Sequence, residues 1–188
     1  MTYTYTLKLQ LPREKIFAFF SDLERWFRLN PQWEVESFGS YEFCAGCTFA
    51  VTVMYDRSEQ EVSYLGKVTE LVGGERLELV LQATLPRTIR LLVQNDDGVS
   101  KLVYEEESEA ELPDADKQEI NLWLRSVANY LLVTSRKTLR SRIWKWFVDR
   151  VWLQMSPFGR RISIIVIIGE AFSLAMFLLF LVWHYFLR

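Results

Sequence analysis

Few residues in this 188-residue chain could do chemistry, and they are unevenly placed. The single histidine, His184, lies near the C-terminus inside the most apolar stretch, so the preceding body offers no Ser-His or Cys-His pair for nucleophilic catalysis. Cys44 and Cys47 form Cys-Ala-Gly-Cys, a spacing that suits a redox pair or half a zinc site. No second cysteine pair exists, so no metal site is assigned; turn cysteines and a thiol switch stay open. What remains is Tyr64, Tyr104, Arg90 and the run Glu105-Glu106-Glu107. On an alternating strand Glu106 shares a face with Leu102 and Tyr104. If that face points inward, Glu106 is a buried carboxylate able to act as a base or a polar hook. The plainer expectation is a strand-end glutamate reaching solvent. No catalytic residue and no cofactor is assigned.

The elements around these residues are legible from periodicity. Residues 2–11 alternate, with Tyr3, Tyr5, Leu7, Leu9 and Leu11 on one face, as in a half-buried strand. Pro12 suits a helix start, and Ile16, Phe17, Phe19 and Phe20 give that helix an apolar side. Ser21-Asp22 can cap a short second helix, which Asn30-Pro31 ends. Six strand-like runs follow, over 33–41, 47–56, 61–72, 75–85, 87–95 and 99–112, with Asp96-Asp97-Gly98 as a hairpin signal. After Pro113, with Asp114 or Asp116 as cap, the period becomes helical. Ile120, Trp123, Leu124, Val127, Tyr130, Leu131 and Thr134 fall on one face, and nothing breaks the pattern before Pro157-Phe158-Gly159. The predicted class is α+β: a curved seven-stranded antiparallel sheet around a long helix, followed by one membrane-crossing helix. Such a sheet tends to leave an apolar hollow under the helix. Its expected lining is Phe49, Val51, Val53, Tyr64, Leu79, Leu91, Tyr104, Trp123, Val127 and Tyr130; the alternative is a core that side chains fill.

Charge and hydropathy separate the two ends of the chain. Residues 1–116 hold 11 Lys+Arg and 21 Asp+Glu, a net of −10, whereas residues 117–188 hold 11 and 3, a net of +8. Residues 162–187 are apolar on every side; as a helix they reach about 39 Å, more than the roughly 30 Å hydrocarbon layer. Residues 141–161 mix Trp144, Trp146 and Trp152 with Lys145, Arg150, Arg160 and Arg161. That composition suits an interfacial helix, or one that packs its tryptophans on the body. Eight basic residues precede the apolar stretch (Arg136, Lys137, Arg140, Arg142, Lys145, Arg150, Arg160 and Arg161), against Arg188 after it. This asymmetry, with no secretory signal at Met1, predicts a single-pass anchor with the body facing the cytoplasm. With the positive charge beside the bilayer, nucleic acid is not an expected partner. Within the span, Glu170 lies between Gly169 and Ser173, a setting for helix–helix contact with a membrane partner or a second copy; snorkelling and proton handling are the other readings.

The run Leu11-Pro12-Arg13-Glu14-Lys15-Ile16-Phe17-Ala18-Phe19-Phe20-Ser21-Asp22-Leu23-Glu24-Arg25-Trp26, followed by Asn30-Pro31, resembles the opening of START/Bet v 1-like (SRPBCC) proteins, in particular their polyketide cyclase/dehydrase and lipid-transport branch. The resemblance covers residues 2–140, which defines a helix-grip domain over 1–140, a juxtamembrane segment over 141–161 and the span over 162–187. It implies a cavity for a lipid, sterol, quinone or polyketide. The leading expectation is therefore a membrane-tethered binding or transfer protein for a lipid-like molecule. An accessory subunit of a membrane complex is second. A cyclase/dehydrase-like enzyme is last, because the body lacks histidine.

Overall fold

A computed structural model describes residues 1–39, 41–56, 60–83, 86–96, 99–136 and 138–186. Of the residues and runs given above, Ser40, Thr84, Leu85, Asp97, Gly98, Lys137, Leu187 and Arg188 lie outside the described residues. The alternation of the first residues gives β1 (Thr2–Leu9), and the apolar side of residues 13–20 gives α1 (Arg13–Phe20), which buries Ile16, Phe19 and Phe20. Asp22 caps α2 (Leu23–Arg28), its carboxylate accepting from the Arg25 backbone N–H at 3.0 Å. Six strands follow: β2 (Trp33–Phe38), β3 (Thr48–Tyr55), β4 (Gln60–Val72), β5 (Arg76–Gln82), β6 (Arg87–Asp96) and β7 (Val99–Ser108). They form one antiparallel sheet in the order β1-β7-β6-β5-β4-β3-β2. Bulges between Val35 and Ser37 and between Val68 and Glu70 add twist and curvature.

The helix α3 (Asp114–Thr134) completes the grip, burying Ile120, Trp123, Leu124, Val127, Ala128, Tyr130 and Leu131. Its start is fixed by Pro113, and no aspartate side chain caps it, contrary to the sequence reading. The helix is also shorter than its periodicity predicts. The expected unbroken helix stops at Thr134, and a new one, α4 (Leu139–Arg150), begins after Thr138. Hydroxyls make the break: Thr138 Oγ1 accepts from the Ser141 N–H at 3.2 Å, and Ser141 Oγ donates to the Val133 carbonyl at 2.8 Å. Side chains that bond the local backbone compete with the helical ladder, and apolar periodicity does not register this.

Beyond a short 3₁₀ turn (Trp152–Gln154) runs α5 (Pro157–Phe186). It is long and apolar enough to cross a bilayer: its most apolar window has a mean hydropathy of 2.6, and none of that window is buried against the body. Its first turn is held to the body. Arg160 is buried and donates to the carbonyls of Trp152 at 3.0 Å, Arg28 at 3.2 Å and Leu153 at 3.4 Å. Arg28 is the last residue of α2, so Arg160 satisfies a carbonyl that the helix end leaves unpaired. Arg161 forms an ion pair with Asp56 at the end of β3.

Candidate functional site

All ten expected lining residues fall inside one continuous core between the sheet and α3, none more than 7% exposed. At the β2–β4 end the filling is aromatic. Trp26 stacks on Trp123 with centroids 4.9 Å apart, and the Trp123 indole donates to the Trp26 carbonyl at 2.8 Å. Trp33 packs on Trp123, Tyr55 and Tyr64, while Phe27 meets Trp26, Trp33, Phe38 and Phe49. Gly66 of β4 lies beneath the Phe49 ring, where any Cβ would fall inside the ring's own volume. Only glycine fits that position.

Set into this apolar interior is a polar cluster. Glu106 of β7 is 2% exposed, which overturns the solvent-facing expectation; its neighbours on β6 and β1 are Ile89 and Tyr3. The Tyr104 hydroxyl donates to Glu106 Oε2 at 2.5 Å, and Arg87 Nη1 donates to Oε1 at 3.3 Å. Burial, reinforced by the Glu106 carboxylate, holds the Tyr104 phenol well above its ordinary pKa, so it remains a neutral donor. Burial works against the Arg87 charge, but Glu106, Tyr64, Tyr55 and Asp116 more than offset it and raise its pKa. Asp116 at the start of α3 lies 3.8 Å from Arg87.

The other side of the cluster is built on β3, β4 and α3. Tyr55 and Tyr64 share a hydroxyl–hydroxyl hydrogen bond of 2.8 Å, and burial, then Tyr64, pushes the Tyr55 phenol up. Glu119 accepts from Asn30 Nδ2 at 3.2 Å. Burial raises its pKa, against the hydrogen-bonding influence of Asn30 and Trp33. The Trp33 indole N–H is turned toward this carboxylate but falls short of full hydrogen-bond geometry and is left unpartnered, as is that of Trp26. The cluster thus places one guanidinium among three carboxylates, with tyrosine hydroxyls and the Trp33 indole N–H beside them.

Sequence reasoning misses several of these groups. Arg90, named as a chemical candidate, faces the other way, paired with Glu78 at 2.6 Å and Glu107 at 3.0 Å, where it holds Glu78 below the usual carboxylate range. Arg87 takes the inward role instead. Its parity with Ile89 and Leu91 on β6 is the available signal, as is the parity of Tyr55 with Val51 and Val53 on β3. Asn30 reads as a helix stop, yet it is buried and holds Glu119.

The C-terminal candidates divide. Trp144 and Trp146 on α4 are 50% and 63% exposed, Lys145 and Arg150 are exposed, and Trp152 is half-buried. Arg160 is turned into protein and Arg161 toward Asp56, so these two brace α5 rather than standing free. Gly169, Glu170 and Ser173 are exposed along α5. At the other end of the sheet, Cys44 and Cys47 are joined as a disulfide across the turn before β3, with Glu42 beside them.

No protein-family model matches the chain, and no curated protein sequence does. Solved structures do match it in fold. Protein CV1439 from Chromobacterium violaceum superposes with a TM-score of 0.61 at 16% identity, over 69% of this chain and 96% of that one. TTHA0849 from Thermus thermophilus gives 0.56 at 13%, over 72% and 100%. The allergen Ara h 8.0201 gives 0.53 at 15%, over 70% and 97%. The architecture is therefore the Bet v 1-like helix grip, and the sheet order and terminal grip helix agree with it.

Proposed function

We propose that this chain is a membrane-tethered binding or transfer protein for a hydrophobic molecule with one neutral, oxygen-bearing end. The observation that carries this reading is the polar cluster around Glu106, enclosed by an otherwise apolar helix grip. Burying polar groups in such a core is costly unless they are paired, and the Trp33 indole N–H beside Glu119 is left without a full partner. A ligand hydroxyl or carbonyl would complete it. An anionic head would meet Glu106, Asp116 and Glu119 against the single cation Arg87, so fatty-acid-like ligands are disfavoured. The apolar, unburied α5 supports the tether, and the excess of Lys and Arg before it favours a body on the cytoplasmic side. Tethering raises the local concentration of the domain at its donor membrane.

A second reading, an accessory subunit of a membrane complex, is favoured by a different observation. The aromatic rings pack tightly around Trp123, while Gly169, Glu170 and Ser173 lie open on α5 for a partner helix. Val127→Trp separates the two, since Val127 is fully buried on the α3 face toward the sheet. Thermal unfolding is followed alongside extraction and mass spectrometry of bound molecules from the full chain. The carrier reading expects an apolar molecule in the wild type, its loss in the variant and little change in the stability of the ligand-free protein. Strong destabilisation, with nothing bound in either protein, would sink it and put the accessory reading ahead.

A further inference from the structure

The turn that breaks the long helix leaves a hollow of about 690 Å³ between the end of α3 and the start of α4. This lies within the roughly 300–1,000 Å³ range of small-molecule sites. Val133, Leu139, Ile143 and Trp144 supply its apolar lining and Arg136 and Arg140 its charge. Leu139 and Ile143 are 74% and 60% exposed, more than isolated surface apolar residues require. The hollow is held open by a fixed joint, because Ser141 is buried and bonded both to Thr138 and to the Val133 carbonyl.

Two observations name the occupant. Arg136 and Arg140 line the hollow, and residues 133–148 contain no Asp or Glu to offset them. The one acid of α4, Asp149, is turned away and held by Tyr130 at 2.8 Å and Arg25 at 3.7 Å. The same segment runs within a few residues into α5, whose base Arg160 and Arg161 fix to the body. An apolar floor with a cationic rim, close in sequence to a bilayer-length helix, matches a lipid head of net negative charge, with no choline cation to repel the arginines, beside an acyl chain. We infer that this hollow seats an anionic phospholipid of the membrane that holds α5, with the chain against Ile143 and Trp144 and the phosphate on Arg136 and Arg140. The inference rests on α5 lying in a bilayer, and it concerns a site separate from the helix-grip interior.

The test uses the full chain in bilayer discs of phosphatidylcholine alone or phosphatidylcholine with phosphatidylserine, the acyl chains brominated to quench indole fluorescence. The Trp144 signal is the difference between wild type and Trp144→Phe. The expected result is quenching of that signal in the phosphatidylserine discs and much less in phosphatidylcholine alone. In the double variant Arg136→Gln/Arg140→Gln the occupied fraction should fall, with an affinity loss of about thirtyfold for two charges near an anionic surface. Equal quenching in both discs, or none in either, would overturn the inference while leaving the tether intact. Quenching that appears only when several copies share a disc would assign the face to a second copy and also overturn it. Failure of the chain to enter discs at all would remove the tether itself, and this inference with it.

Discussion

The body and the C-terminal segment use tryptophan in opposite ways. Trp26, Trp33 and Trp123 are at most 6% exposed and packed against one another, whereas Trp144 and Trp146 stand half or more in the open on α4. The surroundings differ as much as the burial. The buried three lie in an acidic body where the Arg87 guanidinium is paired with Glu106; the open two sit among arginines and lysines, and the one acid of their helix, Asp149, is held by Tyr130 and Arg25. A large indole contributes stability when water is excluded from both faces, and adhesion when one face is left exposed beside positive charge. On the proposed reading, the two regions meet different solvents. The joint between them, Arg160 on the end of α2, is the place where one set of rules gives way to the other.

The sharpest way to break this comparison is to truncate one tryptophan from each side. Trp123→Ala removes a stacked ring, an inter-element hydrogen bond to Trp26 and the centre of the aromatic cluster, and should cost about 3–5 kcal/mol. The same change at Trp146 should alter stability by no more than about 0.5 kcal/mol, because its ring packs on little. Denaturant unfolding of the full chain in detergent, followed by near-ultraviolet circular dichroism, measures both. Similar losses at the two positions would mean that α4 is part of the core and the contrast is false.

A change at Gly66 tests how tightly the aromatic end is filled. Gly66→Ala drives a methyl group into the Phe49 ring, which is stacked on Phe38 at 5.5 Å and cannot step aside without disturbing Phe27. The expected loss is about 1–3 kcal/mol by the same measurement. A neutral result would show that Phe49 has room to move, and with it that the interior near β3 and β4 holds more space than the packing suggests.

How much of this is legible in the sequence follows from the range of the forces involved. Each strand run is readable, because alternation along residues such as Phe49, Val51 and Val53 is a local pattern imposed by a sheet with one buried face. The α3 face is readable for the same reason. The burial of Glu106 is not, because alternation along β7 alone does not show that Arg87, across the β6–β7 hairpin, turns inward to pair with it. Arg160 reads as a lipid-facing charge because its acceptor at Arg28 lies 132 residues away. The break at Thr138 escapes for a different reason. Serine and threonine are tolerated within helices, and only the bonds they form with Val133 and Ser141 reveal a cap.

The smallest expected effect concerns Glu119, and it separates a buried carboxylate from the solvated ones on the outer face. Burial is the main cause of its raised pKa, opposed by Asn30 and Trp33, with Asp116 adding to it and Arg87 subtracting. The sign follows from linkage. Below the unfolded glutamate value, about 4.3, both states carry the proton and the burial of Glu119 costs nothing. As pH rises, the unfolded chain ionises first while the folded protein resists, so stability is lost through the folded pKa. Glu119→Gln keeps an oxygen for the Asn30 amide and cannot ionise. Its stability should therefore match the wild type near pH 4 and exceed it increasingly toward neutrality, by less than either change above. Denaturant midpoints of the two proteins across that range provide the measurement. A constant difference at all pH values would mean that Glu119 is as well solvated as a surface glutamate, and that the polar cluster ends at Arg87.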